Sequence, residues 1–288
     1  MKLFRKSASQ SWPPVWHIDA GATLWRVLFS DDGHVLGEVR DLDAKTAWFF
    51  CAREEDGTIR WNDLRTDEPW WVGIEEVGDG RFYLHGFRKP DMPQHRGIHA
   101  YDLATGQPLW RNEELAFLFV FDGSVYAAEE RFAGRHVLRL SRDDGSVVEE
   151  LGVQDDRIAV MRGMLNDQAF AGYRYPQPFD ETHPRHGELR AHVHAAVRPD
   201  RVTGTLDVWS EDGLLVMAWH EEIAEKNGTY RQELRAVDLA DGQTIFHDTI
   251  VDAAQGPGID SFFIKHHRLY YVKNYRTLTA HDISLRPR

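Results

Sequence analysis

A turn that recurs every 43–54 residues is the feature that most constrains the fold of this chain. Six short polar turns, four of them Asp-Gly pairs, each precede an apolar run typical of a β-strand. Their second residues fall at positions 33, 80, 123, 167, 213 and 267, which are 47, 43, 44, 46 and 54 residues apart. An Asp-Gly pair between apolar runs predicts a β-hairpin, because glycine readily adopts the positive φ of a tight turn.

A second series of turns is interleaved with the first. It comprises Gly57, Gly106, Gly145 and Gly242. A bulky residue stands four positions after three of these glycines, at Trp61, Trp110 and Phe246. Two turn series that share one period predict a repeated unit of about 40–50 residues with four short strands, which is typical of a β-propeller blade.

The predicted fold is all-β, a β-propeller of about six four-stranded blades. Seven blades is the alternative if residues 153–205, the least regular unit, are divided differently. The last unit ends before a fourth strand, whereas the apolar segment 15–18 precedes the first unit. Because sheets avoid unpaired edges, we expect this segment to close the ring as the outer strand of the last blade. Residues 1–12 are predicted to be a flexible lead and residues 13–288 a single propeller domain.

Composition argues against several classes of function. With 34 Lys and Arg against 46 Asp and Glu, the net charge is −12, and no basic block is present. We therefore expect no nucleic-acid partner. No stretch approaches about 18 apolar residues, so no membrane insertion is expected. The single cysteine, Cys51, can form neither an internal disulfide nor a thiolate metal cage. Without a signal-like segment, the expected location is the cytoplasm.

The run Ala-Tyr-Asp-Leu-Ala-Thr-Gly-Gln-Pro-Leu-Trp at 100–110 resembles the outer-strand motif of PQQ-like propeller repeats, and residues 236–246 are a looser match. The resemblance implies propeller architecture. The chain departs from the quinoprotein dehydrogenases of this superfamily, because it is too short for eight blades, lacks adjacent cysteines and has no secretion signal. No quinone or other cofactor is therefore predicted.

The long connections of the repeat are mostly loops between the second and third strands of a unit. They cover residues 88–96, 174–187 and 221–229. Long loops on a rigid scaffold are where binding sites usually lie, although tolerated insertions look the same. The candidate binding residues in these loops are Arg88, His95, Arg96, Arg174, Tyr175, Phe179 and Arg185.

A histidine-rich stretch follows the second of these loops. Read as a strand, residues 188–194 place His192 and His194 on one face, where both side chains can reach one metal ion. The candidate metal ligands are His183, His186, His192 and His194. The competing interpretation is a polar outer strand beside a proline-rich loop, because no zinc spacing template matches.

The sequence contains no P-loop, dinucleotide-binding glycine motif, nucleophile elbow or metalloprotease motif. We therefore expect a non-catalytic scaffold that presents its long loops to an unidentified protein or small molecule. The alternative is a propeller enzyme, a hydrolase or lyase with a site in the central channel that acts with or without a metal. This alternative requires several histidines or carboxylates to converge.

Overall fold

The structure is a computed structural model that describes residues 12–88, 93–132, 134–153, 155–169, 171–224, 228–258 and 261–287. The chain divides into two compact units. Unit A is Ala20–Ala171, and unit B combines the residues up to Asp19 with Gly172–Arg288. The first strand, β1 (Trp16–Asp19), belongs to unit B.

Unit A contains three antiparallel meanders of four strands each. The first is β2 (Thr23–Phe29), β3 (His34–Asp41), β4 (Thr46–Arg53) and β5 (Ile59–Leu64). The second is β6 (Val72–Gly78), β7 (Arg81–Phe87), β8 (His95–Asp102) and β9 (Pro108–Asn112). The third is β10 (Ala116–Phe121), β11 (Ser124–Arg131), β12 (Gly134–Ser141) and β13 (Val147–Gly152). A parallel pairing of Gly97 with Ala116 joins the second meander to the third.

Unit A ends with the helix α1 (Asp156–Ala169). Its Ile158, Met161 and Leu165 pack against a cluster on the third meander that includes Phe119 and Tyr126. The hairpin turn predicted at residues 166–167, and the strand predicted to follow it, are therefore wrong. The helix forms there because apolar side chains three and four residues apart cover the sheet face.

Unit B holds the remaining elements. They are β14 (Tyr173–Arg174), β15 (Gln177–Pro178), α2 (His186–Ala196), a 3₁₀ turn (Pro199–Arg201), β16 (Val202–Glu211), β17 (Leu214–Glu222), β18 (Tyr230–Asp238), β19 (Thr244–Ala254), β20 (Phe263–Lys265), β21 (Arg268–Lys273), β22 (Thr277–Asp282) and a 3₁₀ turn (Ile283–Leu285). One sheet has the order β15-β16-β17-β18-β19, and the other has the order β1-β22-β21-β20-β14. Among the described residues, no helix is long and apolar enough to cross a membrane.

The chain's two ends pair as predicted. β1 runs antiparallel to β22, with Trp16 opposite Ala280 and Asp19 opposite Thr277. The early segment thus supplies the outer strand beside β22. Residues 1–11 of the predicted flexible lead lie outside the described residues, and Trp12 is buried with 2% exposure.

The described residues form five meanders, three in unit A and two in unit B, rather than six. Residues 153–205 were expected to supply another meander, but their described part contains α1, α2, two two-residue strands and the start of β16. In α2, Leu189 and Val193 are buried and pack on β16 and β17 with Val208 and Leu215. This spacing of four residues is the period of a helix, so the strand interpretation of residues 188–194 is wrong.

The turn chemistry is confirmed at the described hairpins. In the β6–β7 turn, Asp79 and Gly80 have φ of 52° and 72°. Positive φ at both central residues twists the turn in the sense that two-residue hairpins require. Gly106, in the second turn series, has φ of 70°, which side chains other than glycine adopt at a cost.

Candidate functional site

An extra residue interrupts the first strand of each meander in unit A at the same place. The pairing of β2 with β3 skips Trp25, that of β6 with β7 skips Glu75, and that of β10 with β11 skips Leu118. Each interruption is a β-bulge, which turns a side chain away from the regular alternation of the strand. Glu75 is the ionisable member of these three, so the second meander presents a carboxylate where the other two present apolar groups.

Glu75 contacts two histidines on the neighbouring strands. Its Oε1 lies 2.7 Å from Nδ1 of His95 on β8 and 3.2 Å from Nδ1 of His85 on β7. The two imidazole rings are stacked, with centroids 3.5 Å apart and planes 7° from parallel. The ring of Phe87 meets both imidazoles edge-on. Three potential metal ligands thus converge, and one oxygen or nitrogen atom from each lies within 4.8 Å of the others.

The burial of these side chains is graded. His85 is 5% exposed, the Glu75 side chain is 14% exposed, and the His95 side chain is 39% exposed. Burial on its own raises the pKa of Glu75, but the neighbouring imidazoles of His85 and His95 outweigh it and lower the pKa to about 2. The carboxylate is therefore ionised at neutral pH, which is the form that binds a cation.

Gly73 on β6 makes room for His85. A Cβ at this position would lie 2.9 Å from Cε1 and 3.1 Å from Nε2 of His85, and 3.3 Å from Oε2 of Glu38. Glu38 is itself held in place, because its Oε2 accepts a hydrogen bond from the Ile74 N–H at 2.9 Å and its Oε1 lies 2.6 Å from Nη2 of Arg40. The absence of a side chain at Gly73 thus leaves room for the His85 ring and for a fixed carboxylate.

A cleft of about 490 Å³, here called the first cleft, opens beside Glu75, His85 and His95 at the ends of the second and third meanders. Three of the residues selected from the sequence line it, namely Arg88, His95 and Arg96. Its apolar lining comes from Ala116, Phe117 and Ala128. This volume is in the range of small-molecule sites, and most of the lining is polar or charged. Residues 89–92 of the predicted binding loop lie outside the described residues.

Most of the charges around the first cleft are paired. Arg96 donates a hydrogen bond to Glu114 and lies beside the cleft. Nε of Arg135 lies 3.7 Å from Oε1 of Glu130. The exposed Arg88 contacts the neutral side-chain amide of Gln94, with Nη1 3.4 Å from Oε1. Among the residues that the structure describes, Arg88 thus retains most of its hydrogen-bonding capacity for a ligand.

The remaining candidates lie in unit B. A second cleft, of about 360 Å³, is lined by Arg174, Tyr175, His183, Arg185 and Trp209. Nη1 of Arg185 donates to the Ser210 carbonyl oxygen at 2.9 Å, and Nε of Arg174 lies 3.3 Å from Glu211. Both guanidinium groups therefore already have partners within the protein.

Phe179 packs beside the second cleft, with its ring centroid 5.3 Å from that of His183 and 5.2 Å from that of His186. The binding loop predicted at residues 174–187 leads to α2 and does not connect the second and third strands of a meander. The binding-face residues are thus distributed over two units.

The four predicted metal ligands do not share a face. His192 and His194 lie on α2, where positions two apart are about 200° apart around the helix axis. His183 precedes the helix, and its Nδ1 accepts a hydrogen bond from the Arg185 N–H at 3.2 Å. Within the described residues, His183, His186, His192 and His194 do not form a three-ligand group of the kind found at Glu75. The prediction assumed a strand, in which His192 and His194 share one face. These residues lie on a helix instead, so they do not.

The sequence interpretation missed Glu75 and His85. A histidine directly after the apolar run 82–84 is the signal that was available, because an ionisable residue on a buried inner strand requires a partner. Glu75 carried no comparable signal, because the bulge that reorients it depends on pairing between strands. His95 was selected as a binding residue but not as a metal ligand.

Part of the chain matches a known sequence family, and most of it can be superposed on solved structures. Residues 29–110 match a family model described as a domain of unknown function, DUF4905. A search of curated proteins finds no match. Among solved structures, a GH43_1 enzyme from Xanthomonas citri has 12% identity and a TM-score of 0.30, covering 94% of this chain and 90% of that one.

Prolyl oligopeptidase B from Galerina marginata, bound to a 35mer hydrolysis and macrocyclization substrate, has 11% identity and a TM-score of 0.30. The match covers 77% of this chain and 25% of that one, so the chain spans about a quarter of that protein's length. At these TM-scores the solved structures carry no functional argument.

Proposed function

We propose that the five meanders are the blades of one β-propeller. Four-stranded antiparallel meanders, repeated along the chain and completed by β1 at the edge of β22, support this architecture. The resemblance to PQQ-like repeats stays a prediction. A crystal structure tests the proposal: a closed ring of five blades would support it, whereas two separate stacks of sheets would overturn it.

We propose that the protein binds a small anionic organic molecule in the first cleft. The observation that carries the proposal is the convergence of Arg88, His95 and Arg96 on one cleft whose lining includes Phe117. An apolar lining accepts the body of a ligand, and a guanidinium group binds a carboxylate or a phosphate through paired hydrogen bonds. The absence of a catalytic sequence motif agrees with binding rather than catalysis.

Arg88 is the expected anchor of the ligand. Arg96 already binds Glu114, and Arg135 lies near Glu130, whereas the partner of Arg88 within the described part of the chain is a neutral amide. An anion beside Arg88 gains a charge-assisted hydrogen bond without breaking an existing ion pair. The negative groups of the cleft disfavour ligands that carry several charges, so we expect a monoanion with an apolar body.

A thermal-shift and calorimetry panel of aromatic and aliphatic monocarboxylates and phosphate monoesters tests this proposal. We expect one class to raise the melting temperature and to bind about 10-fold or more weakly to Arg88→Gln, since a charge-assisted hydrogen bond contributes about 1.5–3 kcal/mol. Arg60→Gln, an exposed change on β5 away from the cleft, should leave binding unchanged. Failure of the whole panel, or equal losses in both variants, would overturn the proposal.

A second candidate function is metal-assisted hydrolysis at the first cleft. The group formed by Glu75, His85 and His95 favours it, because two imidazoles and a carboxylate are a ligand set of catalytic zinc sites. Hydrolysis of p-nitrophenyl acetate and p-nitrophenyl phosphate with and without added zinc tests this function. A zinc-dependent rate that His95→Asn abolishes and His99→Asn leaves intact would support it, and rates equal to those of zinc in buffer would overturn it.

A further inference from the structure

We propose that Glu75, His85 and His95 bind one zinc ion at the wall of the first cleft. This inference goes beyond the binding of an organic anion and does not depend on it. The ligand atoms are Oε1 of Glu75 and the Nδ1 atoms of both histidines. They come from three adjacent strands, β6, β7 and β8, so the sheet itself holds the ligands together.

The spacing between Glu75 and His85 suits a tetrahedral ion, whereas the stacked ring of His95 has to turn. Zinc bonds of about 2.0–2.1 Å at tetrahedral angles separate neighbouring ligand atoms by about 3.3 Å. The distance of 3.2 Å from Nδ1 of His85 to Oε1 of Glu75 already matches this value. The distance of 2.7 Å from Nδ1 of His95 to Oε1 of Glu75 must lengthen. His95 stands at the start of β8 and is partly exposed, so its ring is the one that turns out of the stack to meet the ion.

The buried histidine supplies an independent reason for a ligand. Nδ1 of His85 is fully buried, and its contact with Oε1 of Glu75 at 3.2 Å is within ion-pair distance but not aligned as a hydrogen bond. A buried polar atom without a partner costs about 1–3 kcal/mol, so proteins rarely retain one without a reason. This atom lies within 4.8 Å of the two other ligand atoms, and a metal ion held between them would use its lone pair.

The backbone around the site orients Glu75 and leaves space for His85. The β-bulge turns Glu75 toward the histidines, and Gly73 leaves the space that the His85 ring occupies. In the third meander the position aligned with His85 is Ala128, so that meander lacks this arrangement.

The donor set selects the metal. Two imidazole nitrogens and one carboxylate oxygen suit zinc, whereas calcium and magnesium prefer oxygen ligands throughout. Three protein ligands leave one tetrahedral position vacant. Because His95 lines the first cleft, that position faces the cleft and is open to water or an anion.

Zinc binding to the full chain, stripped of metal with a chelator, tests the inference directly. Calorimetry and elemental analysis should find one zinc ion per chain with a dissociation constant of about 1 μM or lower. Cobalt(II) in its place should give the intense visible absorption of a four-coordinate site. Calcium and magnesium should not compete at millimolar concentration.

Two histidine variants on the same strand separate the site from general surface binding. His95→Asn should weaken zinc binding by more than about 100-fold, because losing a residue that merely supports a ligand already costs about 10–100-fold. His99→Asn, on the same strand but outside the group, should bind zinc like the parent chain. Far-ultraviolet circular dichroism checks that both variants are folded, and Glu75→Gln repeats the test if His95→Asn is not.

A chain that binds no zinc, or one whose stoichiometry is unchanged by His95→Asn and Glu75→Gln, would overturn the inference. The result is separable from the proposed anion binding. The monocarboxylate panel on chelator-treated protein measures the cleft without metal, and Arg88→Gln leaves all three zinc ligands in place.

Discussion

The indole Nε1 of Trp110 donates a hydrogen bond to the main-chain carbonyl oxygen of Arg142 at 2.7 Å, which ties the outer strand of the second meander to the third. The same contact recurs one repeat earlier, where Nε1 of Trp61 donates to the Leu103 carbonyl oxygen at 2.7 Å. Each indole also lies against a glycine of the next turn, Gly145 or Gly106. The tryptophan and glycine of the sequence repeat thus hold successive meanders together.

Replacing Gly145 with alanine should destabilise unit A through this contact. A Cβ there would lie 2.6 Å from Cε3 of Trp110, and φ of 70° disfavours any side chain. The backbone term alone is about 1–2 kcal/mol, and displacing the indole adds to it. We expect urea unfolding of Gly145→Ala to show a loss of about 2–4 kcal/mol.

Gly123→Ala is the matched control for this change. Gly123 has φ of 67°, but a Cβ there meets no atom within 4 Å. Its loss should be limited to the backbone term of about 1–2 kcal/mol. Equal losses for the two variants would show that the indole contact contributes nothing.

The buried pair Glu38 and Arg40 should be strongly coupled. Their side chains are 2% and 10% exposed, and Arg40 also donates to the carbonyl oxygens of Trp70 and Val72. Removing one partner leaves an uncompensated charge, which costs about 3–5 kcal/mol in a buried pair. In a double-mutant cycle of Glu38→Gln and Arg40→Met, we expect the double variant to lose at least about 1 kcal/mol less than the sum of the single losses.

The exposed pair Arg53 and Asp56 is the comparison for this cycle. Both side chains are more than 40% exposed, and exposed pairs contribute about 0–1 kcal/mol. Asp56→Asn should therefore have little effect in the same urea titration. Additive losses for the Glu38 and Arg40 variants would mean that the two charges do not compensate each other.

Most of the fold prediction was based on the residue types found at tight turns. Asp79 and Gly80 form a tight turn whatever lies around them, and the repeat of such turns identified the meanders. The prediction for the stretch after residue 153 was wrong because short hydrophobic patterns fit both a strand and a helix. The alternation of Leu189, Ala191 and Val193 fits a strand, whereas the spacing of Leu189 and Val193 fits a helix equally well. Only the packing of that face on β16 and β17 decides between them.

The candidate site was harder to predict from the sequence than the fold was. Arg88, His95 and Arg96 were found because they fall within one predicted loop, residues 88–96, although His95 and Arg96 begin β8. Glu75 and His95 are twenty positions apart and meet through strand pairing. A β-bulge shifts the side-chain alternation by one residue, and no pattern in residues 72–78 marks its position.

Trp12 should contribute strongly to the stability of unit B, although it precedes the first strand. It is 2% exposed, its Nε1 donates to the Asp282 carbonyl oxygen at 2.9 Å, and its ring meets Phe246 and His281 edge-on. Trp12→Ala should cost about 3–5 kcal/mol in urea unfolding. Trp25→Ala makes the same chemical change at a side chain that is 60% exposed and should cost at most about 1 kcal/mol. A small loss for Trp12→Ala would indicate that β1 docks without it.

His281 should make the stability of unit B depend on pH below neutrality. It is 1% exposed, and burial lowers its pKa from 6.5 to about 4. Between these values the unfolded chain binds a proton that the folded chain does not, so stability falls as the pH falls from 6.5 toward 4 and is constant above 6.5 with respect to this group. The full effect is on the order of 3 kcal/mol.

Urea unfolding of the parent chain and of His281→Gln at intervals from pH 4 to pH 7.5 measures this contribution. Carboxylates titrate in both proteins, so the difference between the two curves isolates His281. The difference should change across the window in favour of the variant as the pH falls, because glutamine takes up no proton. His17→Gln, the same exchange at an exposed position on β1, is the matched control. A parallel curve for His281→Gln would mean that the buried ring is as easily protonated in the folded chain as in the unfolded one.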